Sequence, residues 1–141
     1  MLKQVHEQIT NELTQGARTD TIFIITAIAF NLIVLGINSG IAGSAADTYN
    51  RDSTSEDILL VVFTILLMIV NAISVIGLQV GKQTRNTLLN GLIDMYQDNQ
   101  VEKYYNPTLL GNYNRRYTLF TGVIACLGIT AVIVPLIIRF I

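Results

Sequence analysis

Tryptophan is absent from the 141 residues, histidine and cysteine occur once each, and proline occurs twice. Each scarcity closes off a class of chemistry. Cys126 alone cannot form a disulfide within the chain. It lies in an apolar run with no histidine near it in sequence, so it reads as a buried inert thiol rather than a nucleophile. His6 lies in a polar N-terminal stretch and reads as a solvated side chain. No His, Cys, Asp and Glu residues have the spacing of metal ligands, and no glycine-rich phosphate loop is present. The expectation is a protein without catalytic residues, metal or cofactor, and not an enzyme.

Charge is equally scarce. Only 13% of residues are charged, 51% are hydrophobic and mean hydropathy is +0.50. A soluble globular domain carries about 25% charged residues, and a disordered chain needs low hydrophobicity with high charge; neither description fits. The formal net charge of −1 gives no general attraction for nucleic acid. No Asn-x-Ser/Thr glycosylation acceptor occurs.

What the chain does have is three long apolar runs, at 21–42, 58–80 and 117–138, each close to the roughly 20 residues that cross a hydrocarbon core. None has an ionisable residue in its middle, and charges stand at their edges: Arg18 and Asp20, Asp57 and Lys82, Arg115, Arg116 and Arg139. The expected fold is an all-α membrane protein with three transmembrane helices, an N-terminal amphipathic helix and a cytoplasmic helical extension of the second span. It forms one helical membrane domain over 1–141. Ala42-Gly43-Ser44-Ala45-Ala46 resembles a signal-peptide cleavage site. The n-region before it would be about 20 residues long and would contain Glu7, Glu12 and Asp20. The first run is therefore read as a mature helix.

Orientation follows from Lys and Arg. The N-terminal segment and the 81–116 connection hold seven of the nine basic residues, leaving Arg51 and Arg139 for the other side. The positive-inside rule then places the N-terminus in the cytoplasm and the C-terminus outside, in a plasma (inner) membrane. Tyr104, Tyr105, Tyr113, Tyr117 and Phe120 gather at the inner boundary, as interfacial aromatics do. The 43–57 connection is the outer loop. Its Asp47, Asp52, Glu56 and Asp57 form a candidate acidic outer mouth, or simply solvated sequence. Arg139 is expected to snorkel to the outer interface.

Residues 1–18 place Leu2, Val5, Ile9 and Leu13 on one helical stripe. Gly16 reads as a stop, and Thr19 or Asp20 as the cap of the first span. After the second span, Leu88, Leu89, Leu92, Ile93 and Tyr96 share a face, and Pro107 reads as the end of that helix. Span and extension together would make one helix of about 48 residues, roughly 70 Å long at 1.5 Å per residue. Residues 106–114 read as a polar loop. The two cytoplasmic stripes must each be buried, on the lipid surface, against each other or against neighbouring copies; the few basic residues, interspersed with acids, favour helix pairing over the lipid surface. A homo-oligomer is expected, with a protein partner at the cytoplasmic helices and the lipid bilayer around the spans.

Within the spans, Ala27, Asn31, Val34 and Asn38 fall on one face of the first, and Thr64, Met68, Asn71, Val75 and Leu78 on one face of the second. Two readings stand side by side. The asparagines are either interhelical hydrogen-bonding glue, at about 0.6 kcal/mol per bond on average, or the lining of a pore. The pore-lining candidates are Asn71, Thr64 and Met68, then Asn31 and Asn38. Gly36-Ile37-Asn38-Ser39-Gly40 and Gly77-Leu78-Gln79-Val80-Gly81 both match GxxxG, the close-approach pattern of helices in lipid. Gly36, Gly40, Gly77, Gly81 and Gly122 are therefore expected in helix packing, the last with Thr118, Thr121, Ala125 and Gly128.

In outline, a short helix, a membrane hairpin and a long cytoplasmic helix resemble the small membrane effectors of bacterial defence systems. The third span departs from that two-span plan, and phage holins can also have three. No motif carries either likeness, so no residue role is taken from it. The functional expectation is a homo-oligomeric ion channel or pore lined by polar faces of span one or two, since one three-helix chain cannot enclose a path. The alternative is a non-conducting accessory or scaffold subunit of a larger membrane complex.

Overall fold

The computed structural model describes residues 1–47, 54–101, 103 and 108–141. Three helices account for nearly all of them: α1 (Leu2–Asp47), α2 (Thr54–Asp98) and α3 (Thr108–Phe140). All three are long and apolar enough to cross a membrane, and there is no strand among the described residues.

Two local signals yield to the helix. Gly16 does not stop α1, and neither Thr19 nor Asp20 caps a new helix. A mid-helix glycine costs only about 1 kcal/mol relative to alanine, which packing along the helix outweighs. The Thr19 hydroxyl turns back and donates to the Gln15 carbonyl (3.1 Å), as Thr10, Thr14 and Thr21 do to carbonyls four residues earlier. A hydroxyl satisfied on its own helix no longer competes for the role of cap. The 106–114 stretch is likewise not a loop throughout, because α3 begins at Thr108.

The end of α2 has a specific cause. Gln100 takes a left-handed φ of 58°. The Val101 amide donates to the Tyr96 carbonyl and the Gln100 amide to the Gln97 carbonyl, both at 3.0 Å. That pair of bonds is the Schellman motif, which closes a helix by satisfying its orphan carbonyls. α2 thus stops at Asp98. Pro107, expected to end it, lies outside the described residues, as do Tyr104, Tyr105, Arg51 and Asp52.

Contacts fix the topology. Asn31 of α1 meets Asn71 of α2, and His6 meets Tyr96, so α1 and α2 are antiparallel. Asp20 meets Tyr117, and the Ala45 carbonyl meets Arg139, so α1 and α3 run parallel. α1 packs along both partners, while α2 and α3 meet over less of their length. Two apolar clusters fill the interior. One holds Ala27, Leu78, Tyr117 and Ile124, and the other holds Val34, Leu67 and Ala131.

Past the start of α3 at Thr108, α1 and α2 continue as a two-helix stalk. His6, expected to be solvated, shares a 3.2 Å hydrogen bond with the Tyr96 hydroxyl, and Leu89 and Leu92 are buried. The α2 stripe is thus covered at Leu89 and Leu92 within one chain, whereas Leu2 and Val5 of the α1 stripe stay exposed.

Candidate functional site

The polar side chains of the bundle fall at three levels. At the acidic end, Arg139 of α3 grips Asp57 of α2 through Nε (2.8 Å) and Nη2 (3.1 Å), while its Nη1 donates to the Ala45 carbonyl of α1 (3.2 Å). One guanidinium therefore ties three helix ends, using the planar fork that suits a carboxylate. At the stalk end, the Tyr117 hydroxyl of α3 donates to the Asp20 carboxylate of α1. Arg85 of α2 stands alongside with its guanidinium 4.3 Å from the centroid of the Tyr113 ring. Along α1 the two levels are about 37 Å apart at 1.5 Å per residue. That is the roughly 30 Å hydrocarbon core plus a margin at each face.

Midway between them lies the third level. Asn31 Nδ2 donates to Asn71 Oδ1 (2.7 Å), and Asn71 Nδ2 returns the bond to Asn31 Oδ1 (2.9 Å). The second proton of each amide goes to its own helix, at the Ala27 carbonyl (2.7 Å) and the Leu67 carbonyl (3.0 Å). Both side chains are fully provided for by one chain, in a setting where an orphan amide is expensive. Asn38 is different: it is 0% exposed, and neither its Oδ1 nor its Nδ2 has a partner.

The remaining candidates scatter. Thr64 is half-buried and donates to its own Leu60 carbonyl (2.8 Å), whereas Met68 points outward, 57% exposed. The five candidates therefore do not share one surface. Among the acids, Asp57 is committed to Arg139, Asp47 is exposed at the end of α1, Glu56 is half-buried and Asp52 lies outside the described residues. Arg139 thus braces the bundle rather than simply snorkelling. Cys126, read as buried, is exposed on α3.

The glycines divide in two. A Cβ on Gly77 would meet the Phe23 ring at 3.4 Å, and one on Gly81 would run into the Asp20 carboxylate, its Cγ at 3.1 Å. Gly128, noted only as one of a group of small residues, gives the Asn71 amide its room, since a Cβ there would sit 2.9 Å from Nδ2. Gly36, Gly40 and Gly122 have nothing within 4 Å, so the close packing expected of them does not occur within the chain. Gly81→Ala is therefore expected to lower the melting temperature in detergent clearly, whereas Gly36→Ala is expected to hold or raise it. Equal shifts for the two would show that Asp20 does not need the gap.

Sequence reasoning missed Asp20, Tyr117, Arg85 and Arg139 as bundle-forming residues. The signal for Asp20 was its place one residue ahead of an apolar run, where an acid is read as a cap. Comparison with known protein families, curated proteins and solved structures finds no match for this chain. Among the described residues, no group of three or more His, Cys, Asp or Glu is placed to hold a metal.

Between α2 and α3 a groove of about 610 Å³ lies open along the apolar mid-section, lined by Leu67, Met68, Val75, Ile124, Ile129 and Val132 among others, with Asn71 on its wall.

Proposed function

We propose that this chain is a non-conducting accessory or scaffold subunit of a larger membrane complex. Three spans anchor the stalk, with the N-terminus cytoplasmic and the C-terminus outside a plasma membrane. The observation that carries this reading is the reciprocal Asn31–Asn71 bond pair. The amides that would have lined a path satisfy one another inside a single chain, and Val34, Leu67, Leu78 and Ile124 fill the interior on either side of them. What faces outward along the spans is apolar, as in Ile33, Val62, Ile69, Ile73 and Ile129. A subunit of that kind offers neighbours side-chain packing rather than a conduction path. The groove between α2 and α3 is the place we assign to a partner's membrane helix.

A second reading, the homo-oligomeric ion channel or pore, is favoured by Asn38. A buried amide with both atoms unmet gains a partner if copies assembling around an axis re-arrange the bundle.

Planar-bilayer recording combined with the mass of the detergent-solubilised particle separates the two. The scaffold reading expects no current under any ligand, calcium or voltage condition, and a heterologous partner crosslinked in native membranes through cysteines placed at Met68 or Ile129. Unitary currents altered by Asn71→Leu, from a particle of several identical chains, would replace it with the channel.

A further inference from the structure

At the junction of stalk and bundle lies a cavity of about 330 Å³, walled by Ala17, Asp20, Thr21 and Ile24 of α1, Arg85 of α2, and Tyr113, Arg116, Tyr117 and Phe120 of α3. We propose that it is a binding site for the headgroup phosphate of an anionic phospholipid. This inference rests on the spanning of a membrane and is independent of whether the chain conducts.

Charge comes first. Two arginines and one aspartate line the cavity, leaving one formal positive charge to match the single negative charge of a phosphodiester. One carboxylate, Asp20, faces two guanidiniums, so the arginines are not fully answered from within. Arg85 carries a second mark: its Nε is buried and has no hydrogen-bond partner. Its guanidinium is held over the Tyr113 ring at 4.3 Å, which fixes the plane of the donor fork before any ligand arrives. Arginine in such a fixed plane recognises phosphate oxygens with two parallel hydrogen bonds.

The second argument is the gradient of the walls. The arginines and Tyr113 lie toward the stalk, while Ile24 and Phe120 lie one turn deeper into the bundle. A phospholipid has the same order, with phosphate at the interface and acyl chain below. The cavity also stands at the level of Asp20 and Tyr117, which is one edge of the apolar slab, where headgroups sit. Basic pockets between helices at that depth hold anionic headgroups, and the volume falls at the small end of ligand sites.

The test is native mass spectrometry of the full chain released from nanodiscs containing equal phosphatidylglycerol and phosphatidylcholine. Phosphatidylglycerol is expected to remain bound in preference. Arg85→Gln and Arg116→Gln are each expected to reduce that adduct about tenfold, the scale of a lost charge-assisted hydrogen bond. Arg116 is exposed, so its variant keeps the test valid should Arg85→Gln disturb folding. Lys3→Gln, far along the stalk, is expected to leave the adduct unchanged. Equal retention of the two lipids, or full retention by both arginine variants, overturns the proposal. An equal loss with Lys3→Gln would assign binding to diffuse surface charge and overturn it too. Displacement by millimolar inorganic phosphate would make the ligand a free anion rather than a lipid and would overturn the lipid assignment.

Discussion

Asn31→Leu is expected to destabilise the bundle by about 1–3 kcal/mol, the penalty for leaving a buried polar group without its partner. The variant removes both interhelical bonds at once and strands the Asn71 amide beside the groove, with only its bond to the Leu67 carbonyl remaining. Asn71→Leu strands Asn31 in turn, and Asn31 is 1% exposed. The double variant is expected to cost less than either single one, because two apolar side chains leave no orphan behind. Unfolding in mixed micelles with a rising fraction of denaturing detergent measures the cycle. Membrane hydrogen bonds measured this way average about 0.6 kcal/mol and reach about 1.7. A coupling energy near the upper figure is expected for a doubly bonded pair. Additive single effects, with no recovery in the double variant, would mean that the amides do not depend on one another.

The cycle also bears on why the sequence read toward sister chains. Helical periodicity correctly places Asn31 with Asn38 and Thr64 with Asn71. It says nothing about whether two polar faces meet within a chain or across copies. That is a matter of register, and register comes from the whole length of the α1–α2 hairpin. Asn31 lies 25 residues after His6, and Asn71 lies 25 residues before Tyr96. The bond that closes the stalk and the bond that closes the mid-section therefore share one register. A thin bundle can thus keep an interior of its own.

Other features show the same division between local and distant causes. Three apolar runs are visible because length and hydropathy are properties of the chain itself. Gly16 and Thr19 look like a helix boundary because each carries a genuine local preference, worth about 1 kcal/mol. A helix packed on both sides overrides it. Gln100, not a residue type that announces a left-handed turn, closes α2 through backbone bonds that no side-chain pattern reports. Gly77 and Gly81 were legible as close-packing residues, but Gly36 and Gly40 carry the same motif and meet nothing. The motif states that a helix can approach, not that one does.

Tyr117→Phe is expected to have the other large effect, about 1.5–3 kcal/mol, the worth of a hydrogen bond to a charged group. Asp20 is only 8% exposed and Tyr117 only 7%, so the bond is held largely inside the protein. The phenyl ring still fills its place against Ala27, Leu78 and Ile124, so the loss falls on the polar bond and not on packing. Asp20→Asn is expected to be milder, because an amide oxygen still accepts from Tyr117 and no charge is left buried. That order distinguishes a structural carboxylate from an acid that merely caps a helix end. For a cap, Asp20→Asn would be nearly silent, asparagine being as good a cap as aspartate, and Tyr117→Phe would be silent too. Melting temperature by circular dichroism in a neutral detergent is sufficient. Wild-type stability in Tyr117→Phe would detach α3 from α1 at this level and would leave Gly81, whose missing side chain makes space for the Asp20 carboxylate, without a reason to be small.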